Sequence, residues 1–150
     1  MIYVNSNCHK YDIALFSFLM KKRILLADDD PGIKRHVQHL LEQAGFECHA
    51  VNNGQEAIQA FSSISFDGIV LDGEMPKCDG FGAIRRIRDI ERQKRMSRTP
   101  ALLFSAMTPS KASDLCQEAG FDAYLPKYRS YEVSRCLRHI LKNSKSRTFL

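Results

Sequence analysis

Ile24-Leu25-Leu26-Ala27-Asp28-Asp29-Asp30-Pro31 sets an apolar run, an acidic cluster and a helix start side by side. The first four side chains suit a short strand covered on both faces. Asp30-Pro31 reads as a helix start. An aspartate there caps free N–H groups, and proline at the first helical position has no N–H to leave unpaired. Ile33, Val37, Leu40, Leu41 and Ala44 then recur at helical spacing, and Gly45 stops the helix.

The same alternation continues outward from this stretch. Residues 46–51 read as a second strand, and Asn53-Gly54 as a turn before a helix with Ala57, Ile58 and Phe61. Residues 68–71 are a third apolar strand ending in Asp72. A loop from Gly73 to Gly80 leads to a helix carrying Phe81, Ile84, Ile87 and Ile90. Ala101 to Phe104 is a fourth strand, Pro109 to Gly120 a helix, Ala123 to Leu125 a fifth strand. Val133, Leu137, Ile140 and Leu141 mark the last helix. Short, fully apolar strands alternating with helices predict an α/β fold, a doubly wound five-stranded parallel sheet with helices on both faces. In such a sheet, ligands sit beyond the carboxyl ends of the strands. That rule directs attention to Asp28–Asp30, Asp72–Glu74, Ser105-Ala106 and Pro126-Lys127.

Composition narrows the function classes. A chain of 150 residues suits one domain, and 44% apolar with 26% charged residues excludes wholesale disorder. The five cysteines form no C-x-x-C pair, so a disulfide framework and a zinc site are disfavoured and a reducing, cytoplasmic setting is expected. They read as small apolar residues or surface thiols. No apolar run reaches the ~18–20 residues of a membrane span. Charge is segregated: residues 24–84 hold ten acids and three bases, 85–98 seven bases and two acids, 127–150 seven bases and one acid. A uniformly basic nucleic-acid coat would not look like this, and no direct nucleic-acid binding is expected. The run 85–98 reads as a solvated helix and loop. His36 and His39 have metal-ligand spacing but no third ligand, so they read as a solvated or partner-facing pair.

The strand ends carry chemistry. Asp28, Asp29 and Asp72 converge if the sheet is right, and clustered carboxylates need a positive charge among them. A hard divalent cation such as Mg²⁺ meets that need with oxygen ligands and retained waters. Lys127 adds a fixed cation and Ser105 a hydroxyl. Around one carboxylate, such groups can hold phosphoryl oxygens while the carboxylate attacks phosphorus. Asp30 reads as a cap only.

Taken together, five pieces resemble the receiver domain of two-component response regulators. They are Ile24 to Pro31, Phe66-Asp-Gly-Ile-Val-Leu-Asp72-Gly-Glu-Met-Pro76, Asp79-Gly80-Phe81, Leu103-Phe-Ser105-Ala106 and Glu118-Ala-Gly-Phe-Asp-Ala-Tyr124-Leu-Pro-Lys127. The resemblance covers about residues 22–142. It implies a flavodoxin-like (βα)5 sheet of strand order 2-1-3-4-5. It also implies a phosphoacceptor at Asp72 and an acidic pair, Asp28 and Asp29, that holds Mg²⁺ with Asp72 and the backbone carbonyl of Glu74. Lys127 and Ser105 are implied to contact the phosphoryl group. Tyr124 is the aromatic switch position, with simple packing as its other reading. The likeness breaks after Lys127, where the family usually has proline and this chain has Tyr128.

The function so implied is a stand-alone phosphorelay switch that catalyses only its own phosphorylation and dephosphorylation. Its donor would be a sensor histidine kinase or a histidine phosphotransfer protein, docking near Ile33–Val37. An unknown downstream protein with an acidic surface would meet the last helix at Arg135, Arg138 and Lys142. The competing reading is a haloacid-dehalogenase-like Mg²⁺-dependent phosphohydrolase with Asp28 as nucleophile, through Asp28-x-Asp30. The expected division is an N-terminal extension 1–21, the receiver 22–142 and a basic tail 143–150. The extension, apolar from Tyr11 to Met20, has two open readings: an over-extended reading frame or an appended helix.

Overall fold

The computed structural model describes residues 15–16 and 19–146. Most of the N-terminal extension and residues 147–150 of the tail lie outside the described residues. The elements are β1 (Arg23–Ala27), α1 (Pro31–Gln43), β2 (Glu47–Val51), α2 (Gly54–Ser63), β3 (Gly68–Asp72), α3 (Gly80–Gln93), β4 (Ala101–Ser105), α4 (Pro109–Ala119), β5 (Ala123–Pro126) and α5 (Val133–Ser146). A short 3-10 segment, Lys127–Glu132, joins β5 to α5, and α5 continues four residues past Lys142.

All strands are parallel, in the order β2-β1-β3-β4-β5. This is the doubly wound arrangement the alternating pattern predicts. Leu25 pairs in register with His49 of β2 and with Ile69 of β3. Alternate strand residues feed two cores, because successive side chains point to opposite faces. Leu25, Ala27, Ile69, Leu71 and Leu103 pack with Ala57 and Phe61 of α2, Ile84 and Ile87 of α3, and Ala112 of α4. Ile24, Leu26, Val70, Leu102 and Phe104 pack with Val37 and Leu41 of α1 and Leu137 and Leu141 of α5. Burying each such aliphatic side chain contributes about 1.5–3 kcal/mol. Both layers therefore hold the strand ends rigidly where the site is built.

Local signals explain the element boundaries. Asp30 caps α1 by accepting from the N–H groups of Gly32 and Ile33 at 2.8 and 2.9 Å, and Asp79 caps α3 by accepting from Gly82 at 2.7 Å. Gly120 ends α4 at φ 114°, a left-handed conformation that costs glycine little.

The basic run 85–98 departs from the solvated reading. Arg88 is only 5% exposed and Glu91 4%. Arg88 lies on the stripe of α3 that also buries Ile84 and Ile87. Its Nη1 donates to Glu91 Oε2 at 2.9 Å and to the Thr99 carbonyl at 2.7 Å; its Nε and Nη2 donate to the Gly120 carbonyl at 3.1 and 2.9 Å. Glu91 in turn accepts from the Thr99 N–H at 2.7 Å. A buried arginine is tolerated when its forked donors are filled in this way.

Candidate functional site

The carboxyl ends of β1, β3, β4 and β5 deliver the site. Asp28 directly follows β1 and has no exposed surface. Its Oδ1 accepts from the Asp30 N–H at 2.9 Å. Its Oδ2 lies 2.9 Å from Lys127 Nζ. That pair is an ion pair without hydrogen-bond alignment, so Oδ2 is a buried oxygen with no hydrogen-bond partner. Asp72 ends β3 and is 3% exposed. Its Oδ1 accepts from the Glu74 N–H at 3.2 Å and its Oδ2 from Lys127 Nζ at 2.9 Å. One ammonium thus bridges both carboxylates. Asp29 is exposed at the rim.

Burial pushes the Asp72 carboxyl up to about 6; the Lys127 hydrogen bond opposes this and the nearby Asp28 charge adds to it. Lys127 is pulled the other way by burial, yet its hydrogen bond to Asp72 and its pairing with the Asp28 charge hold it above its ordinary value. The ion pairs therefore outweigh the desolvation of the ammonium.

Ser105 ends β4, 1% exposed. Its Oγ accepts from the Met107 N–H at 3.3 Å. Tyr124 on β5 donates its hydroxyl to the Met107 carbonyl. Gly80 is required by close approach: a Cβ there would lie 2.1 Å from the Asp72 carbonyl oxygen. The cleft above these groups, about 600 Å³, is lined by Asp29, Asp72, Met75, Ser105, Ala106 and Lys127, among others.

One carboxylate oxygen from each of Asp28, Asp29 and Asp72 lies within 4.8 Å of the others. An all-oxygen donor set with one orphaned buried oxygen fits a hard divalent cation. The Glu74 carboxylate is not in that cluster; Glu74 is exposed and its N–H is committed to Asp72. His36 and His39 belong to no such group among the described residues, and His36 meets Ser130 instead.

The structure therefore brings Asp28, Asp29, Asp72, Ser105 and Lys127 together, with Glu74 and Tyr124 at the margin. It does not support Asp28 as a nucleophile of the dehalogenase kind. Asp28 has no exposed surface and its Oδ1 is held by the Asp30 N–H, while the second carboxylate that reading needs, Asp30, is consumed capping α1. Among the described residues no peptide bond is cis, including the one joining Lys127 to Tyr128. Met107 escaped the sequence reading because it acts through backbone atoms, which no side chain announces.

The expected donor face on α1 needs correction. Val37 is fully buried against the core, so α1 offers Ile33 but not Val37. Arg135 is exposed and pairs with Glu132. Arg138 turns instead toward α1: it donates to the Ala44 carbonyl at 2.7 Å and lies 5.8 Å from the Phe46 ring centre. Both arginines stay exposed, Arg135 against Glu132 and Arg138 against the end of α1.

Residues 24–134 match the response regulator receiver domain family. Sensor protein GacS of Pseudomonas syringae pv. syringae is 39% identical over 107 residues, covering 70% of this chain and 12% of GacS. The transcriptional regulatory protein TrcR of Mycobacterium tuberculosis is 33% identical, covering 81% of this chain and 46% of TrcR. The chain thus spans less than half the length of either relative, one a sensor protein and the other a transcriptional regulatory protein. Among solved structures, the receiver domain of sensor histidine kinase PA1611 from Pseudomonas aeruginosa superposes with TM-score 0.72 at 27% identity. It covers 81% of this chain and 98% of that one, and holds a magnesium ion in its active-site cleft. The receiver domain of histidine kinase CKI1 from Arabidopsis thaliana, complexed with Mg²⁺ and BeF₃⁻, gives TM-score 0.71 at 28% identity, covering 83% of this chain and 93% of that one. Fold, strand-end carboxylates and the match over residues 24–134 agree: this chain belongs to the response regulator receiver domain family.

Proposed function

We propose that Asp72 accepts a phosphoryl group from a phosphohistidine, and that the resulting charge switches the domain toward a partner protein. The carrying observation is the geometry of Lys127, whose Nζ lies 2.9 Å from both Asp28 and Asp72 at the floor of an open cleft. An Asp72 oxygen attacks phosphorus, the phosphorus–nitrogen bond of the donor breaks, and the imidazole nitrogen keeps the electron pair and takes up a proton. Lys127, freed from Asp72 as that carboxylate becomes an acyl phosphate, turns its charge to the phosphoryl oxygens. Ser105 supplies a hydroxyl to the same oxygens.

Asp28, Asp29 and Asp72, with the Glu74 carbonyl, would hold Mg²⁺. When bound, Mg²⁺ neutralises charge on the carboxylates and on the incoming phosphoryl group. The Mg²⁺ present in the PA1611 and CKI1 receiver structures supports this assignment. Buried and orphaned as it is, Asp28 Oδ2 gains a ligand that Lys127 alone does not provide.

The chain is thus a signalling switch rather than an enzyme that releases a product of its own. Its donor is a sensor histidine kinase or a histidine phosphotransfer protein, and the setting is the cytoplasm. Among the described residues no helix is long and apolar enough to cross a membrane. The assignment is tested by incubation with acetyl phosphate, with and without Mg²⁺, in the intact chain and in Asp72→Asn. Mg²⁺-dependent labelling that the variant loses is the expected result. Labelling of the variant at another residue overturns it.

A further inference from the structure

The pole opposite the acceptor cleft has its own chemistry. A parallel sheet gathers the amino ends of all its strands there, with the carboxyl ends of the helices beside them. Lys21 and Lys22 precede β1; Arg92, Lys94, Arg95 and Arg98 close α3 and its following turn; Arg138 and Lys142 lie near the end of α5. Arg92 pairs with Asp89 and Arg98 with Asp122. Lys94 and Arg138 donate to the carbonyls of Ser62 and Ala44, which leaves their charge uncompensated. Among the described residues, no carboxylate reaches ion-pair distance of Lys22, Lys94, Arg95, Arg138 or Lys142.

The same pole exposes apolar side chains. Leu15, Phe16, Leu19 and Met20 are 56%, 66%, 70% and 64% exposed, and Met96, inside the basic turn, is 41% exposed. The other two large exposed apolar or aromatic side chains among the described residues, Tyr128 and Tyr131, stand just after Lys127 at the cleft end. Met20 borders a hollow shared with Phe46, Arg138, Leu141 and Lys142, and its N–H donates to the Phe16 carbonyl at 2.9 Å, which ties the preceding turn to that end of the molecule. Cations at helix carboxyl ends are favourable in any fold, and that accounts for Arg138 on Ala44. It does not account for five large apolar side chains left in water beside them.

We propose that this pole docks on an anionic lipid bilayer, with Leu15, Phe16 and Leu19 in the headgroup boundary and the bases on lipid phosphates. Apolar side chains that protrude, rather than line a groove, match a deformable apolar phase better than a rigid protein pocket. Bases around them match anionic headgroups, and the two attractions together give binding that either alone leaves weak. Docked so, the acceptor cleft faces the aqueous phase and stays open to a donor.

The test is sedimentation of the full chain with phosphatidylcholine vesicles, with and without phosphatidylglycerol, at low and physiological salt. The chain should bind the anionic vesicles at least about tenfold better than the neutral ones, and less well as salt rises. The exposed double variants Phe16→Ser/Leu19→Ser and Arg95→Glu/Lys142→Glu should each lose about tenfold in binding or more, with acetyl-phosphate labelling unchanged. Equal binding to neutral vesicles, no binding to either, or variants that bind undiminished overturn the proposal. So does an unmodified chain that ignores vesicles and self-associates through Phe16 and Leu19, since the surface then joins two copies.

Discussion

Ser105 and Tyr124 hold opposite ends of one residue: Ser105 Oγ accepts from the Met107 N–H at 3.3 Å, and the Tyr124 hydroxyl donates to the Met107 carbonyl. A pull on Ser105 toward a phosphoryl group at Asp72 must release or drag Met107, and so reaches Tyr124 without any direct contact between the two. If phosphorylation draws Ser105 in, the loop after β4 is the element that this local charge change would bias.

Ser105→Ala should therefore accept phosphate yet fail to pass the change on. Amide NMR shifts on phosphorylation should spread to Met107, Tyr124 and α4 in the unmodified chain and stay near Asp72 in the variant. Tyr124→Phe keeps the ring and loses the bond to Met107, and should partly shift the same amides before any phosphate is added. Identical shift patterns in all three proteins would refute the Met107 relay.

Asp72 also makes a prediction about stability against pH. Its folded pKa of about 6 lies above the ordinary 3.8, so between about pH 4 and 6 the folded state binds more protons than the unfolded state. Stability then falls as pH rises through that window. At pH 7 the charged carboxylate is a standing cost, and Asp72→Asn should stabilise the fold by about 1–2 kcal/mol. The gain should vanish near pH 4, as thermal melts at the two pH values would reveal. A gain independent of pH, or a loss at pH 7, contradicts this account.

Asp29 is the exposed member of the acidic cluster, so removing it should leave the fold within about 0.5 kcal/mol of the original. Asp29→Ala should nevertheless lose Mg²⁺ binding and phosphorylation together. Mg²⁺ titration followed by melting temperature provides the readout, since a ligand that binds only the folded state raises stability. Unchanged labelling in the presence of a chelator is the result that sinks the metal assignment.

Arg88 predicts a large effect far from the cleft. Arg88→Ala leaves Glu91 buried without its ionic partner, which should cost about 3–5 kcal/mol in urea unfolding. Exposed Arg85→Ala on the same helix should cost under about 0.5 kcal/mol. Equal costs would mean that the network around Gly120 and Thr99 contributes nothing beyond an ordinary surface arginine.

These residues also show what could be read from the amino-acid order. The strands 24–27, 68–71 and 101–104 were legible because a fully apolar run ending in a polar residue has few other uses, and Asp30-Pro31 marked α1 through cap chemistry alone. Asp28, Asp72 and Lys127 lie far apart in the chain, yet the strand-end rule placed all three at one cleft. Arg88 was misread because charge says nothing about helical phase. Its phase was nonetheless available, since it shares the stripe of Ile84 and Ile87. The Arg138 contact was out of reach for a similar reason: a basic helix reveals its charge but not the neighbour, here the end of α1, that its side chain reaches.

The central claim is that Asp72 carries the phosphoryl group. Its most direct test is peptide mapping by mass spectrometry after acetyl-phosphate treatment with Mg²⁺ and borohydride trapping of acyl phosphates. The account predicts a single modified peptide whose altered residue is Asp72, absent when Mg²⁺ is chelated. Modification at Asp28, at Asp29 or at a histidine, with Asp72 untouched, would contradict it.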